Sequence, residues 1–327
     1  MSPRPARRSF TSTPARFGTY SCPLEEQVTS VMSERADASG PGVISLRTLG
    51  SRPIAWVAWI VATTLAFVQP LTMLVRHVLP SQLHSYIVLV PFVAGYLLYL
   101  QRGTLLREYR TSISGALILS GAAVSALAAG IWWRGSLSVN DYLALITLAY
   151  VGIIAAGGFL FLGSRWMAAA AFPIGFLVFM VPMPDVVVDA FERASVQASA
   201  ETTALFFRIT GTPFVQDGQV FTLPGIVLKV AQECSGIRSS WVLLITSLVA
   251  SHLFLKSPWR RALLVAFVIP LGIVRNGFRI LVLGLLCIYV GPQMIDSPLH
   301  HQGGPIFFLL SLVPLYGLLW WLRRKDR

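Results

Sequence analysis

Residues 142–163 read YLALITLAYVGIIAAGGFLFLG, and residues 262–290 read ALLVAFVIPLGIVRNGFRILVLGLLCIYV. The first stretch has no charged side chain and exceeds the roughly 20 residues that a helix needs to cross a bilayer. The second is longer and contains Arg275, Asn276 and Arg279. Both predict membrane-spanning helices. Because charged residues inside a membrane span are rare, those in the second stretch indicate a functional region.

The composition of the whole chain agrees with a membrane protein. Of its 327 residues, 55% are hydrophobic and only 12% are charged, and the mean hydropathy is +0.67. Soluble globular chains carry roughly 25% charged residues. This excludes an ordinary cytoplasmic enzyme, a disordered protein and a secreted disulfide scaffold. The basic residues behind the net charge of +12 lie between apolar segments and near the termini, which indicates a lipid bilayer as partner and no nucleic acid.

Eight apolar segments predict an all-α polytopic membrane protein with about eight transmembrane helices. The second segment is short and contains Pro91. The seventh is interrupted by Arg275-Asn276-Gly277-Phe278-Arg279, so one tilted helix and two broken halves both remain open. The eight segments are 54–74, 86–101, 113–133, 142–163, 166–183, 237–255, 262–290 and 305–322.

The remaining regions define the domain organisation. Residues 1–53 are polar and predict a disordered cytoplasmic tail before a transmembrane domain at 54–322. Residues 323–327 predict a basic cytoplasmic tail. Between the fifth and sixth segments, residues 184–236 predict a small extracytoplasmic cap. Its pattern indicates a helix at 186–210 followed by two β-like runs, Phe214–Thr222 and Ile226–Ala231.

Cys234 is a candidate nucleophile at the start of the sixth segment, within Glu233-Cys234-Ser235-Gly236-Ile237-Arg238. A helix N-terminus favours a thiolate, and Arg238 one turn later adds positive charge, while Glu233 opposes it. The alternative is a small apolar residue packed at a helix end. The other cysteines are Cys22 and Cys287, and the three show no ligand spacing for a metal. No metal or organic cofactor is implied.

Arginines and histidines fall at the same predicted membrane face as Cys234. Arg275 and Arg279 are four residues apart, hence on one helix face, and the alternative for them is snorkelling to headgroups. His300 and His301 follow the seventh segment, and the alternative for them is an ordinary surface position. A cysteine nucleophile, a histidine acid/base and an arginine for the oxyanion would together form an acyl-transfer site.

Three blocks resemble the signature blocks of exosortases and archaeosortases, over roughly residues 80–310. They are Glu233–Arg238, then Arg275-Asn276-xx-Arg279-Ile280, then His300-xxx-Gly304-xxx-Phe308. His84-Ser85 is loosely similar to a further block. Members of this family are polytopic membrane cysteine transpeptidases that sort proteins with a PEP-CTERM-type C-terminal signal.

The resemblance implies a role for each matching residue. Cys234 is the nucleophile, Arg279 the arginine of the Asn-x-x-Arg block, and His300 the histidine. Two assignments stay open, because Arg275 flanks the same Asn276 and His301 adjoins His300. Arg238 is a supporting residue.

The resemblance also implies the substrate and the location. The substrates are membrane-tethered proteins with a C-terminal sorting signal, which are cleaved through a thioester and released to water, an amine or a glycan acceptor. The location is the cell inner membrane, with the active site facing the periplasm or exterior. Two other hypotheses remain: a transporter or channel with an intramembrane arginine anion site, and a non-catalytic scaffold for polysaccharide export.

The distribution of basic residues predicts the orientation. With the N-terminus inside, 18 Lys and Arg residues fall on the inner side and 5 on the outer side. We therefore expect both termini in the cytoplasm and residues 184–236 outside. Reporter fusions at each terminus and within 184–236 measure this directly. A cytoplasmic 184–236 loop would contradict both the topology and the placement of Cys234.

Overall fold

The structure is mostly helical, with one small sheet, and it confirms a polytopic all-α membrane protein. It is a computed structural model. The residues that it describes are 51–81, 83–103, 105, 109–230, 237–291, 293–294 and 304–326, with backbone only at 237, 238 and 304.

The α-helices of the described residues, in chain order, are α1 Ser51–Ala66, α2 Val68–Val78, α3 Val90–Gln101, α4 Ile113–Trp132, α5 Val139–Phe161, α6 Ser164–Ala169, α7 Ala171–Phe176, α8 Asp185–Ile209, α9 Ile237–Phe254, α10 Pro258–Tyr289 and α11 Gly304–Lys325. Two 3₁₀ segments, Ser85–Leu89 and Leu177–Met180, precede α3 and follow α7. Three strands, β1 Val215–Asp217, β2 Val220–Leu223 and β3 Ile226–Lys229, form an antiparallel sheet in the order β1-β2-β3.

Four helices of the described chain are individually long and apolar enough to cross a membrane, namely α4, α5, α10 and α11. Two bent pairs raise the number to six: α1 with α2, bent by 70°, and Ala171–Met180 with α8, bent by 91°. Ser85–Gln101 and Ser239–Phe254 are shorter apolar helices. The described chain thus has four to six candidate spans, fewer than the eight predicted.

Two predicted spans are not straight helices, and prolines explain the breaks. The prediction of one helix over 166–183 is wrong, because this region divides into α6, α7 and a 3₁₀ turn. A proline ring clashes with the carbonyl four residues earlier. Pro173 therefore disfavours continuation past Ala169, the last residue of α6, and Pro70 does the same at Ala66, the last residue of α1.

The first and last helices extend beyond the predicted apolar segments. α1 begins at Ser51, so residues 51–53 are helical and not part of the tail. Residues 1–50 lie outside the described residues, and their disorder stays a prediction. α11 continues to Lys325, so most of the predicted basic tail at 323–327 is helix. The seventh segment is a single helix, α10, of 32 residues, with Pro270 inside it.

The region between α7 and α9 folds against the end of α10. The predicted helix at 186–210 is α8, and the first β-like run divides into β1 and β2 because Gly218 turns the chain at φ +57°. An apolar cluster joins the three elements. It consists of Val196, Ala200, Ala204 and Phe207 of α8, Phe221, Leu223, Leu228 and Val230 of the sheet region, and Ile280 and Leu281 of α10.

Polar contacts join sequence-distant segments at the two predicted sides of the membrane. On the predicted inner side, an Arg52 N–H donates to the Tyr109 carbonyl at 2.6 Å, and the Gln101 amide lies 2.7 Å from His252 Nε2. On the predicted outer side, Asn140 Nδ2 donates to Asp185 Oδ1 at 2.8 Å. Each contact joins segments that the topology places on the same side.

Close packing between α8 and α10 depends on Gly277. A Cβ at this position would lie 2.9 Å from Thr202 Cγ2 and 3.4 Å from the Thr202 carbonyl carbon. We therefore expect Gly277→Ala to reduce the free energy of unfolding by about 1–3 kcal/mol through overpacking. Gly317 of α11 is the matched control, because a Cβ there meets nothing within 4 Å. Denaturation of both variants in detergent measures the difference, and equal stability of the two would contradict this packing.

Candidate active site

The helices α9 and α10 form an antiparallel hairpin, and Arg275 joins them near its open end. Only three residues, 255–257, separate the two helices. The Arg275 Nη2 donates to Ser240 Oγ at 3.0 Å. Ser240 lies in the first turn of α9, which begins at Ile237. The arginine is 7% exposed, so this contact is made inside the helix bundle.

Asn276, the residue after Arg275 in α10, forms a similar contact with α8. Its Nδ2 donates to Ser199 Oγ at 3.0 Å, and both residues are buried. A buried amide without a partner would be costly, so the bond favours one rotation and one register of the two helices. Gly272 permits the approach of α9 on the neighbouring face, since a Cβ there would lie 2.7 Å from Ser240 Oγ.

Arg279 lies one turn beyond Arg275, about 6 Å further along the axis of α10. Its side chain is half-buried. Because the hairpin is antiparallel, this direction leads towards and past the first residue of α9, Ile237. In the sequence, Cys234 precedes Ile237 by three residues. The structure thus brings Arg279 to the end of α9 that follows the candidate nucleophile.

The other predicted site residues fall outside the described part of the chain. Cys234, His300 and His301 are among the residues that the structure does not describe, and Arg238 is described only as backbone in the first turn of α9. The convergence of Cys234, Arg279 and His300 on one cavity therefore stays a prediction. Of the two possibilities left open for the seventh segment, the structure shows one unbroken helix, and the Arg275 bond described above goes to a hydroxyl on another helix.

Two other histidines are buried to different degrees at opposite ends of the bundle. His84 is buried near Asp185, with Nδ1 3.5 Å from Ser81 Oγ, and burial lowers the pKa of this imidazole. His252 stacks on Phe172 with ring centroids 3.8 Å apart, in the last turn of α9. That turn is about 22 Å from the start of α9, at the opposite end of this helix.

Sequence reasoning missed the partners that hold the arginine and the asparagine, Ser240 and Ser199. A signal for Ser199 exists in the buried stripe of small residues on α8, namely Val196, Ser199, Ala200, Thr203 and Ala204. Such stripes allow close helix packing in membranes. A second contact that was not predicted is the hydrogen bond from Trp241 Nε1 to the Tyr86 hydroxyl, at 2.5 Å. It joins α9 to the 3₁₀ turn before α3.

The described residues contain no group of three or more His, Cys, Asp or Glu side chains that would hold a metal ion. Cys287 is a free thiol, 3% exposed, in the last turns of α10. Its burial makes it unsuited to attack a protein substrate.

Comparison with known proteins identifies the family. The family model described as transmembrane exosortase matches residues 75–317, which include the α9–α10 hairpin and the cap region. Searches of curated proteins and of solved structures returned no match. Exosortases are membrane sorting transpeptidases. Since the match covers well over half of the sequence, the chain belongs to the transmembrane exosortase family.

Proposed function

We propose that this protein is a membrane-embedded cysteine peptidase or transpeptidase that cleaves exported proteins near a C-terminal sorting signal. Cys234, Arg279 and His300 are the proposed catalytic residues. The observation that carries the proposal is the contact between Arg275 and Ser240. It fixes the α9–α10 register so that Arg279 lies near the level of Ile237, the first residue of α9. Ile237 follows Cys234 by three residues in the sequence.

The proposed chemistry uses one proton donor and one cationic stabiliser. The Cys234 thiolate attacks the scissile carbonyl, and the carbonyl oxygen becomes an oxyanion that the Arg279 guanidinium stabilises. The tetrahedral adduct collapses, the C–N bond breaks, and His300 protonates the leaving amine. The acyl group remains on the sulfur as a thioester. Water, an amine or a glycan then attacks the thioester, with His300 accepting the proton of the nucleophile, and the thiolate is restored.

We further propose the orientation and the cap. α10 has 32 residues and is about 48 Å long, whereas the hydrocarbon core of a bilayer is about 30 Å thick. Its last turns therefore extend beyond the membrane, and just before them Ile280 and Leu281 pack with α8 and the sheet. The contacts of Arg52 with Tyr109 and of Asn140 with Asp185 agree with an even number of crossings between the residues of each pair. The distribution of basic residues supports both termini inside.

The proposed substrate fits this geometry. A protein anchored by one C-terminal helix presents the residues just outside the membrane to the outer end of α9. Its helix would pack laterally against the bundle, while its basic inner tail would remain on the cytoplasmic side. The part of the sorting signal just outside the membrane would then reach Cys234 while the substrate stays in the membrane. This arrangement supplies the proximity that a reaction between two membrane-bound molecules requires.

The transporter hypothesis assigns both arginines to an anion. Arg275, however, donates to Ser240 and so links two helices, which is a structural role. This favours the peptidase, because only Arg279 is then assigned to a ligand or a transition state. The scaffold hypothesis requires neither arginine.

The nucleophile provides a direct test. We expect Cys234→Ala to abolish processing of a substrate with a C-terminal signal, and the uncleaved substrate to accumulate in the membrane. Cys234→Ser should fail as well, because a hydroxyl without a strong base is a far weaker nucleophile than a thiolate. Immunoblotting of substrate in membrane fractions, at equal abundance of each variant, measures both results.

Cys287→Ala is the matched control for the loss of a thiol. Cys287 is buried in α10, and its variant should retain processing. Cys22→Ala should also retain it. Processing by Cys234→Ala at near the wild-type rate would overturn the peptidase proposal and favour the transporter or the scaffold.

The two arginines should respond differently to lysine. We expect Arg279→Lys to lower the processing rate about 100-fold, because an ammonium cannot reproduce the planar donor fork at an oxyanion. Arg275→Lys keeps a cationic donor near Ser240 and should retain most of the rate. The test compares processing by the two variants at equal membrane abundance. A large loss in the Arg275 variant alone would exchange the two roles.

A further inference from the structure

A basic cavity lies at the end of the bundle opposite the proposed catalytic centre. It has a volume of about 420 Å³ and opens where α9 ends, α10 begins and α11 ends. The side chains of Lys256, Arg261 and Arg323 contribute positive charge to its walls. His252 closes one side, held by its stacking on Phe172. None of these residues has a role in the proposed peptidase chemistry.

Asp326 is the acidic residue that lines this cavity, and other groups of the protein already neutralise and hydrogen-bond its carboxylate. Its carboxylate forms an ion pair with Arg260 and accepts hydrogen bonds from the backbone N–H groups of Lys256 and Ser257. These backbone donors, above all that of Lys256, hold the pKa of Asp326 below its usual range, so it stays ionised at neutral pH. Because Arg260 offsets Asp326, the three cations of the cavity keep an excess of positive charge.

Two of the cations are positioned by other contacts. Arg261 Nε donates to the Leu255 carbonyl at 2.8 Å, which leaves its terminal nitrogens available to the cavity. The Arg323 guanidinium lies 5.5 Å from the centroid of the Phe254 ring. A cation that is held in place before binding loses less conformational entropy when an anion arrives.

The surroundings place this cavity at the level of lipid headgroups. Trp259, Trp320 and Trp321 are exposed by 74%, 56% and 46% of their surfaces, and tryptophan is enriched at membrane interfaces. Arg324 lies over the ring of Trp320, with its Cζ 3.6 Å from the centroid, and Lys325 lies over Trp321 at 4.0 Å. Basic cavities between transmembrane helices at this level suit anionic headgroups.

We infer that the cavity lined by Lys256, Arg261 and Arg323 binds the phosphate of an anionic phospholipid in the adjacent leaflet. The lipid would connect the α9–α10 loop to the end of α11 through one phosphate. Its acyl chains would lie along the apolar helix surface, so a lipid should bind far better than a free phosphate. By the orientation proposed above, the leaflet is the cytoplasmic one.

Lipid-dependent stabilisation of the purified full-length protein tests this inference. The probes are phosphatidylglycerol, phosphatidylcholine and inorganic phosphate, and the rise in Tm with the concentration of each gives an apparent Kd. We expect phosphatidylglycerol to stabilise the protein and the other two to have little effect. In Lys256→Gln/Arg323→Gln, the apparent Kd for phosphatidylglycerol should rise at least about tenfold, because two charge-assisted contacts with the phosphate inside the cavity are lost.

Arg324→Gln/Lys325→Gln is the matched control. It removes two positive charges as well, both from the end of α11 and neither from a residue that lines the cavity, and its Kd should stay near that of the wild type. Equal loss in both double variants would show general charge attraction and overturn the site. Equal stabilisation by inorganic phosphate and phosphatidylglycerol would overturn the lipid assignment. If the first double variant does not fold, Lys256→Glu alone, at an exposed loop position, must raise the Kd for the inference to stand.

Discussion

Two buried hydrogen bonds on adjacent residues of α10 determine how the centre of this protein is arranged. Arg275 donates to Ser240 of α9, and Asn276 donates to Ser199 of α8. Consecutive residues of a helix point about 100° apart, so one turn of α10 fixes the rotation of two neighbours at once. In an apolar environment, a slip of either neighbour would leave a guanidinium or an amide without its partner. The level of Arg279 relative to the start of α9 follows from these contacts.

The two ends of the bundle have different properties that match different tasks. Towards the end of α10, the cap elements bury an apolar cluster that includes Phe207 and Phe221, at the same end of this helix as the proposed peptide chemistry. At the beginning of α10, the Asp326 carboxylate accepts hydrogen bonds from the hairpin loop, and the surrounding cations form the proposed lipid site. The connecting helices between them are apolar. A long helix with functional contacts at both ends explains why α10 exceeds the length that one crossing needs.

Much of the helical pattern could be predicted from the sequence, and the partners of the polar residues could not. The periodicity and length of the apolar runs predicted α4, α5 and α9 to within a few residues. The break after α6 was missed although its signal is present, because Pro173 acts on a carbonyl four residues earlier and not at its own position. Ser240 was not predicted as the partner of Arg275, since that contact depends on helix rotation and register, which an apolar pattern alone does not specify. The predicted topology made Cys234 and His300 candidates, and the family motifs then assigned them as nucleophile and histidine.

The most direct measurement of the central claim is the capture of the acyl-enzyme. The wild-type protein is mixed in membranes with a substrate that carries a C-terminal signal, quenched in acid during turnover, and analysed by mass spectrometry of its peptides. The account predicts an adduct on the Cys234 peptide with the mass of the upstream part of the substrate, which hydroxylamine removes. Turnover of the substrate with the Cys234 thiol free and reactive to maleimide at every time point would contradict the account.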